Sequence, residues 1–590
     1  MSESLGTGSS SAEDVRRPLV PQLAVRGSHG ISLVSFEGGV KGELRELSTS
    51  QSCRVLVFSP TGSLVAWCDG SSVQVLDVAS GTVRCSIPRP KTRCLQFSPL
   101  ATYIALWEPY TAQKDQAGRP NLEVWDTASG QKTAELIQKR QKGWCPQWSE
   151  DEALCTRSVT NEVHCFEAGT PGAALSNKLV VEGLASYSLS PSSPYKIAVY
   201  VPGSKGAPSF VRMYQYPRLE GAGSVIASRS FYRADDVKFS WNKKGSAVLV
   251  VTSTDVDKTG SSYYGEQGLL YLSARGDGNL VILDKKGPIY DVQWHPNSEE
   301  FCVLYGFMPS KATLFNNNSD PIHDFGTAHR NLAQFNPHGN ILCLAGFGNL
   351  RGNMEFWDRK TLKLLSKPQA SDSTHFQWCP DGVHVVTATT APRLREGNGF
   401  KLWHFRGSLL FHEDTPPKQE LLEVSWRPIP VSSFPVPDVT LPPPPSIQTA
   451  SANPGQKAAY VPPALRGRPK PSGTPTGDET NLTKSAQKNR RKKQQQQPQQ
   501  VVSGQSQEQR DAVSMATHLM GGAGSEGVSG GGGGDIAEKK IRNLKKKLRQ
   551  IEQLKQQQAD GGTLELNQLE KIKTEDSILA EIEKLELDSK

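Results

Sequence analysis

A chain of 590 residues with 36% apolar and 21% charged residues can bury a sizeable core over part of its length, and its formal net charge of +8 is modest. No run of 18 apolar residues occurs, and residues 1–14 are polar and Ser-rich, so we expect a disordered N-terminus, no signal peptide and no membrane span. The composition favours a cytoplasmic chain with reduced thiols.

The ten cysteines and eleven histidines give no indication of a metal centre. There is no Cys-x-x-Cys pair, and the histidines lack a His-x-x-x-His or His-Glu-x-x-His spacing. A free cysteine on a strand is usually a small buried apolar residue. We therefore expect no metal and no cofactor, and we place six cysteines on strand-like segments: Cys53, Cys68, Cys85, Cys94, Cys302 and Cys343.

A short sequence motif, which we call the phrase, recurs nine times along the chain. Each copy has alternating residues, then an aromatic residue or Leu, then Ser, Asn, His, Cys or Arg, and usually Pro. Successive aromatic or Leu positions lie 39 to 55 residues apart, a spacing typical of β-propeller blades. These positions are Phe58, Phe97, Trp148, Leu189, Phe239, Trp294, Phe335, Trp378 and Trp426.

The chemistry of the phrase is that of a strand that ends at a turn. Alternation is typical of a half-buried strand, Pro ends the hydrogen-bonded ladder, and a following Gly or Asn suits a turn. Further apolar runs follow most copies, without helical periodicity between them. The pattern predicts an all-β, WD40-like β-propeller over residues 15–437, with nine blades, or eight if the copy at Leu189 or Trp241 is accidental.

The ninth phrase is truncated, because prolines from Pro428 onward interrupt the sequence that follows its single strand. Conversely, strand-like residues 22–26, 31–36 and 43–47 precede the first phrase and have no phrase of their own. These N-terminal strands can complete the last blade and remove its free edge. We therefore predict a ring closed by both ends of the propeller sequence.

Residues 438–534 form a Pro-, Gln- and Gly-rich basic linker whose composition predicts disorder. Between Lys457 and Lys493 it holds ten basic and two acidic residues. This run is either a solvated charge run or nuclear localisation signal, or a segment that binds RNA phosphates. The candidate RNA-binding residues are Lys488, Arg490, Arg491, Lys492 and Lys493.

Residues 535–590 carry helical signals, beginning with a capping-box pattern at Asp535 and Glu538. An apolar stripe of Ile541, Leu544, Leu548 and Ile551 follows at spacings of three and four. Seven cations with no acid among them surround the stripe, and their mutual repulsion favours an anionic partner. These candidate ribosome- and RNA-binding residues are Lys539, Lys540, Arg542, Lys545, Lys546, Lys547 and Arg549.

The alternative is a self-contained helical hairpin, because a second, acidic helical pattern over residues 563–587 could neutralise the basic one. No catalytic motif accompanies either interpretation. The only Gly-x-Ser-x-Gly match, at residues 527–531, lies in the glycine-rich linker and not on a strand-to-helix turn, and a phosphate-binding Gly-x-x-x-x-Gly-Lys sequence is missing. We therefore expect a binding protein and not an enzyme.

Over essentially its whole length the chain resembles the eukaryotic translation initiation factor 2A family. The resemblance rests on the nine phrases, the Pro-rich exit, the Lys488–Lys493 block and the end sequence at residues 540–551, KIRNLKKKLRQI. That end sequence is also similar to the ribosome-binding C-terminal segment of the partner of Y14 and Mago, which makes it the most specific motif. The propeller phrases are less specific, since subunit b of initiation factor 3 has similar blades.

The resemblance implies a cytoplasmic factor that is not itself a GTPase and that brings initiator methionyl-tRNA to the 40S ribosomal subunit. It also implies mRNA and other initiation factors as further partners, no association with a membrane and no catalytic residues. The competing hypothesis is a protein-interaction scaffold whose basic tail serves localisation or RNA tethering. A scaffold has no need for strongly salt-dependent RNA binding, so the basic helix separates the two hypotheses.

Overall fold

The computed structural model describes residues 19–111, 118–204, 206–221, 223–232, 234–254 and 265–447, together with Ile551 and Leu579. The chain divides into two compact units, Met1–Met520 and Gly521–Lys590. The described part of the first unit is built of short β-strands and one 3-10 helix, Val431–Ser433.

The strands are, in chain order, β1 (Gln22–Gly27), β2 (Gly30–Glu37), β3 (Val40–Ser48), β4 (Leu56–Phe58), β5 (Leu64–Cys68), β6 (Val73–Asp77), β7 (Val83–Ile87), β8 (Cys94–Phe97), β9 (Tyr103–Trp107), β10 (Leu122–Asp126), β11 (Lys132–Leu136), β12 (Gln147–Trp148), β13 (Cys155–Val159), β14 (Glu162–Phe166), β15 (Asn177–Val180), β16 (Ser186–Leu189), β17 (Lys196–Val201), β18 (Ser209–Gln215), β19 (Val225–Phe231), β20 (Asp236–Trp241), β21 (Ala247–Ser253), β22 (Gln267–Ser273), β23 (Gly278–Leu280), β24 (Ile289–Trp294), β25 (Glu300–Tyr305), β26 (Ser310–Asn316), β27 (Pro321–Ala328), β28 (Leu332–Phe335), β29 (Ile341–Ala345), β30 (Met354–Asp358), β31 (Leu364–Ser366), β32 (His375–Trp378), β33 (His384–Thr389), β34 (Gly399–His404), β35 (Leu409–Asp414) and β36 (Leu421–Trp426).

These strands form nine antiparallel four-stranded sheets, which are the blades of a propeller. Blade one is β4–β7, each later blade takes the next four strands, and blade nine combines β36 with β1–β3. We call the four strands of a blade A to D in order of pairing. The A strands of neighbouring blades contact each other, as β4 contacts β8 and β24 contacts β28, so they are the innermost strands.

The nine-bladed prediction is confirmed, because every phrase lies on the A strand of its own blade. The two weakest copies are genuine: Leu189 ends β16, and Trp241 ends β20. The residue after the last aromatic of the A strand closes the turn between strands A and B in several blades, and in blade five it is Asn242, so the aromatic equivalent to Phe58 there is Trp241 and not Phe239. Thus Ser59 Oγ accepts a hydrogen bond from Leu64 N at 3.0 Å, and Asn336 Oδ1 accepts one from Ile341 N at 3.1 Å. The recurring Ser or Asn of the phrase therefore has a turn-forming role.

The predicted closure is also present, with β1 pairing antiparallel to β36 and Val25 opposite Val424. Apolar side chains pack in the spaces between neighbouring blades. At the closure, Phe36 of blade nine contacts the ring of Trp426 edge-on at 5.9 Å between ring centroids and that of Phe400, in blade eight, at 6.4 Å. Cores of this kind lie between the sheets, so each blade depends on its neighbours for burial.

One cysteine lies differently from the prediction. Cys53 lies in the connection between β3 and β4, not on a strand. It is nevertheless buried, and its thiol lies 3.6 Å from Ser48 Oγ. The connection folds back against the blades, so burial at this position comes from loop packing and not from strand pairing.

Antiparallel pairing gives the ring two faces. The A–B and C–D connections lie on one face, which we call the first face, and the B–C and D–A connections lie on the second face. Because the A strands surround the axis, the ends of the A strands bring the A–B and D–A connections close to the centre of their respective faces.

Candidate nucleic-acid interface

We call residues 438–590 the tail. Of the candidate site residues in the tail, the structure describes one. Ile551 is helical and 3% exposed. It is the last residue of the apolar stripe proposed for the basic helix, and the stripe stays a prediction because its other members lie outside the described residues. The following candidates also lie outside them: Lys488, Arg490, Arg491, Lys492, Lys493, Lys539, Lys540, Ile541, Arg542, Leu544, Lys545, Lys546, Lys547, Leu548 and Arg549.

The point at which the chain leaves the propeller is defined. After β36 the chain crosses the first face from the axis to the rim, bonding first to the A–B turn of blade seven and then to blade eight. The bonds run from Asn340 Nδ2 to Pro437 O (2.8 Å), from Arg406 Nη1 to Val439 O (3.2 Å) and from Ile447 N to Leu409 O (2.9 Å). Residues 438–447, assigned above to the linker, are thus held against the ring, and the linker begins at the outermost strand of blade eight.

Three A strands, β16, β28 and β36, accept a side-chain cap from the preceding blade on their inner edge. Three backbone N–H groups on these edges donate to carboxylate or amide oxygens: Leu189 N to Gln147 Oε1 (2.8 Å), Ala333 N to Asp291 Oδ2 (3.0 Å) and Trp426 N to Gln377 Oε1 (3.0 Å). An unpaired strand edge is otherwise free to recruit a foreign strand. At Gln147 and Gln377 the glutamine before the phrase aromatic therefore links neighbouring blades through its amide oxygen.

The buried thiols are not poised for nucleophilic chemistry. Burial raises the pKa of Cys165 to about 12 and raises that of Cys302 and Cys343 above the usual range for a thiol, so the reactive thiolate is disfavoured. Over the residues that the structure describes, no three His, Cys, Asp or Glu side chains are placed to hold a metal ion. Nor does any helix within those residues have the length and apolarity to cross a membrane.

The second face carries an accumulation of exposed cations that the sequence analysis did not single out. Three successive D–A connections, residues 49–55, 88–93 and 137–146, contain seven Lys or Arg and no Asp or Glu. Arg89 is bound to Glu123 in blade two. The remaining six cations are exposed, and we call them the basic crescent: Arg54, Lys91, Arg93, Lys139, Arg140 and Lys142.

Some members of the basic crescent could be recognised from the sequence. Residues 139–142 read Lys-Arg-Gln-Lys, a compact basic run between two strands. Arg54 is isolated in the sequence, whereas Arg93 ends a second basic run, Arg-Pro-Lys-Thr-Arg at residues 89–93, and both arginines stand four residues before the aromatic of their phrase. Alignment of the phrases would have placed these two arginines at equivalent positions of neighbouring blades.

Comparisons with known proteins identify relatives over nearly the whole chain. The family models described as "Eukaryotic translation initiation factor eIF2A" and "Eukaryotic translation initiation factor 2A C-terminal domain" match residues 229–424 and 539–585. Eukaryotic translation initiation factor 2A of Drosophila melanogaster is 37% identical over 96% of this chain and 98% of its own length. The protein of the same name from Schizosaccharomyces pombe is 34% identical over the same shares.

A solved structure agrees with the propeller. The protein titled "Crystal structure of the eukaryotic initiation factor" matches with a TM-score of 0.63 and 35% identity, covering 70% of this chain and 100% of its own. The matched share is close to the share of this chain that the propeller occupies. The match supports the ring architecture, and the C-terminal family model covers residues 539–585, the segment for which the sequence predicts a basic helix.

Proposed function

The chain belongs to the eukaryotic translation initiation factor 2A family, and from that membership we propose that it binds the 40S ribosomal subunit and promotes delivery of initiator methionyl-tRNA without hydrolysing GTP. A role in translation initiation follows from the family. The contacts with the 40S subunit and the tRNA, the further contacts with mRNA and other initiation factors, and the cytoplasmic location are the proposed part.

The observation that supports ribosome binding most strongly is the charge of the segment matched by the C-terminal family model. Its first eleven residues, 539–549, hold seven cations and no acid. Ribosomal RNA offers a dense array of phosphates, and each phosphate contact releases a bound counterion. We propose that Lys539, Lys540, Arg542, Lys545, Lys546, Lys547 and Arg549 face that array, with the Lys488–Lys493 block as a second basic segment.

The apolar stripe has a different task in this proposal. Ile541, Leu544, Leu548 and Ile551 would form one side of the predicted helix, so they could contact protein while the cations contact RNA. The last described residues of the propeller unit, up to Ile447, end at the outermost strand of blade eight. Propeller and helix would then bind different parts of one assembly.

The test is co-sedimentation of the full chain with purified 40S subunits over a range of salt concentrations. Changing Lys545, Lys546 and Lys547 to Glu should weaken binding strongly. It should also lower the salt slope, the steepness with which the logarithm of the binding constant falls with the logarithm of the salt concentration, by roughly two to three units, because each phosphate contact adds about 0.7 to 0.9 to this slope. Changing Leu544 and Leu548 to Ser is the matched control for the other side. Affinity should then fall while the slope stays nearly constant, since the lost contact is apolar.

Retention of both 40S affinity and salt slope in the charge-reversed chain would remove the helix as the RNA-contacting element. In that case the Lys488–Lys493 block or the propeller would have to carry the interaction. If no part of the chain binds 40S subunits with a measurable salt slope, the scaffold hypothesis replaces the proposed function.

A further inference from the structure

The basic crescent is concentrated in one sector of the second face. The three D–A connections that carry it hold seven cations and no acid, whereas the other six, residues 181–185, 232–235, 281–288, 329–331, 367–374 and 415–420, hold six cations and five acids. All nine connections occupy equivalent places in the ring. The difference of +7 against +1 is therefore a property of this sector and not of the fold.

The members of the crescent are neighbours in space. Arg54 and Arg93 start equivalent A strands, because Arg54 N donates to Cys68 O (3.1 Å) and Arg93 N donates to Trp107 O (2.9 Å) in the same position of blades one and two. These A strands, β4 and β8, contact each other. The third connection reaches the same place, since Gln141 Nε2 lies 3.5 Å from Cys94 Sγ, next to Arg93.

The third connection is also held in position. Arg157 of blade three donates from Nη2 to Ile137 O at 3.0 Å, and the ammonium of Lys139 lies 5.6 Å from the ring centroid of Tyr110 in blade two. Lys142 contacts Asp236 at the start of the A strand of blade five. These contacts fix a loop of exposed cations over blades two and three.

Most of this charge is not neutralised by the protein. Among the described residues, Arg54, Lys91, Arg93 and Arg140 form no ion pair, and Lys142 alone of the six contacts a carboxylate. Several acids border the sector, and each has a partner within the protein: Glu123 and Glu135 contact Arg89 and Lys132, and Asp236 contacts Lys142. Asp69 is occupied by Ser71 and Ser72, whose hydrogen bonds overcome the effect of burial and lower its pKa to about 2, and Glu108 lies 3.9 Å from Arg89.

We propose that the basic crescent is a second RNA-binding surface, which binds phosphates of structured RNA on the second face of the propeller. Unpaired arginines and lysines on a rigid surface attract phosphates and release counterions. The crescent includes three arginines, whose planar guanidinium groups bind phosphate oxygens in a bidentate manner. An acidic protein is a less suitable partner for the crescent than RNA, because the sector has few exposed apolar side chains that could form the core of a protein–protein interface.

The inference extends the proposed function, because it gives the propeller an RNA contact that is independent of the tail. The RNA can be transfer RNA or ribosomal RNA, since both offer the same phosphates. The propeller would orient one RNA while the tail holds the assembly.

The experiment uses the full chain, with Arg54, Arg93 and Arg140 changed to Glu. Its probes are an initiator tRNA transcript, followed by fluorescence anisotropy, and purified 40S subunits, followed by sedimentation. The matched control changes Lys243, Lys360 and Lys363 to Glu, since these three are also exposed but lie in turns of the first face. A chain with the three arginines changed to Gln, together with thermal unfolding of every variant, separates lost contacts from lost folding.

Reversal of the crescent should weaken binding of the transcript, the 40S subunit or both by at least about tenfold, and it should lower the salt slope by about two to three units. The probe whose affinity falls, the tRNA transcript or the 40S subunit, identifies the RNA that the crescent binds. The Gln variant should shift affinity in the same direction, and the first-face control should match the unaltered chain. Unchanged affinity and slope in both arms, or equal losses in the control, would overturn the inference.

The tail variant with Lys545, Lys546 and Lys547 changed to Glu distinguishes this inference from the proposed function. If only the tail variant loses 40S binding and the crescent variant retains both ligands, the inference fails and the proposed function stands. If only the crescent variant loses RNA, the inference stands and the assignment of the helix fails.

Discussion

Arg26 Nε lies 2.9 Å from Glu423 Oε2, although the two residues are 397 positions apart in the chain. Arg26 is on β1 and Glu423 on β36, the two strands whose pairing closes the ring. Arg427, just beyond β36, donates to Gln22 Oε1 at 2.6 Å and to Gly62 O at 2.7 Å. The two ends of the propeller sequence are therefore joined both to each other and to blade one.

This closure makes the N-terminal strands essential. Deleting residues 1–50 should remove three of the four strands of blade nine and leave β36 unpaired, so we expect aggregation or a large loss of thermal stability. The measurement is size-exclusion chromatography with a thermal melt. Deleting residues 1–18 is the control and should leave the melting temperature unchanged. A soluble, cooperatively unfolding protein without residues 1–50 would contradict the closure.

The inter-blade glutamines should contribute to stability according to their hydrogen bonds. Gln377→Ala removes the acceptor for Trp426 N, and we expect it to lower the free energy of unfolding by about 1–2 kcal/mol. Gln96→Ala is the matched control, because Gln96 holds the same phrase position but is exposed, and it should change stability by less than about 0.5 kcal/mol. Urea unfolding of the two variants checks the difference, and equal effects would refute the capping role.

The buried ion pair between blades six and seven offers a third prediction. Arg330 and Glu355 are 5% and 4% exposed, with Arg330 Nη2 at 2.5 Å from Glu355 Oε2, so Arg330→Met should leave a buried carboxylate short of a partner and cost about 3 kcal/mol. Lys367 lies 2.8 Å from the other carboxylate oxygen and limits the loss. Lys367→Met, at a half-exposed side chain, should cost less than about 1 kcal/mol.

Changing Arg330 to Met and Glu355 to Leu together should recover much of the stability lost in Arg330→Met, because the uncompensated charge is then gone. Thermal melts of the single and double variants provide the comparison. A double variant that recovers none of the lost stability would show that the loss in Arg330→Met comes from the arginine's hydrogen bonds to Phe325 O and Gly326 O and not from the uncompensated carboxylate.

Limited proteolysis should locate the end of the propeller. The sequence predicts a disordered linker, and hydrogen bonds hold the chain against the ring as far as Ile447, so the first cuts should fall after residue 447. Mass spectrometry of the earliest fragments gives the position. Early cuts between residues 428 and 447, or inside β4–β36 with the tail intact, would contradict this boundary.

Most of the propeller could be predicted from the sequence because its signals are local. Each A strand carries an alternating pattern, an aromatic residue, and the Ser or Asn that closes the next turn, as at Ser59 and Asn336. These features depend on strand pleating and turn chemistry within a few residues. Nine copies therefore gave nine blades, and the leftover strands at the N-terminus indicated how the ring closes.

Other features exist only once the ring is formed. Arg54, Arg93 and Arg140 are separated by about forty residues or more in the sequence, and they share a surface because consecutive D–A connections start adjacent A strands. In the same way, the partner of Gln377 lies one blade away, at Trp426. A linear pattern reports which residues a strand contains, whereas only the tertiary structure decides which strands become neighbours and which charges remain without a partner.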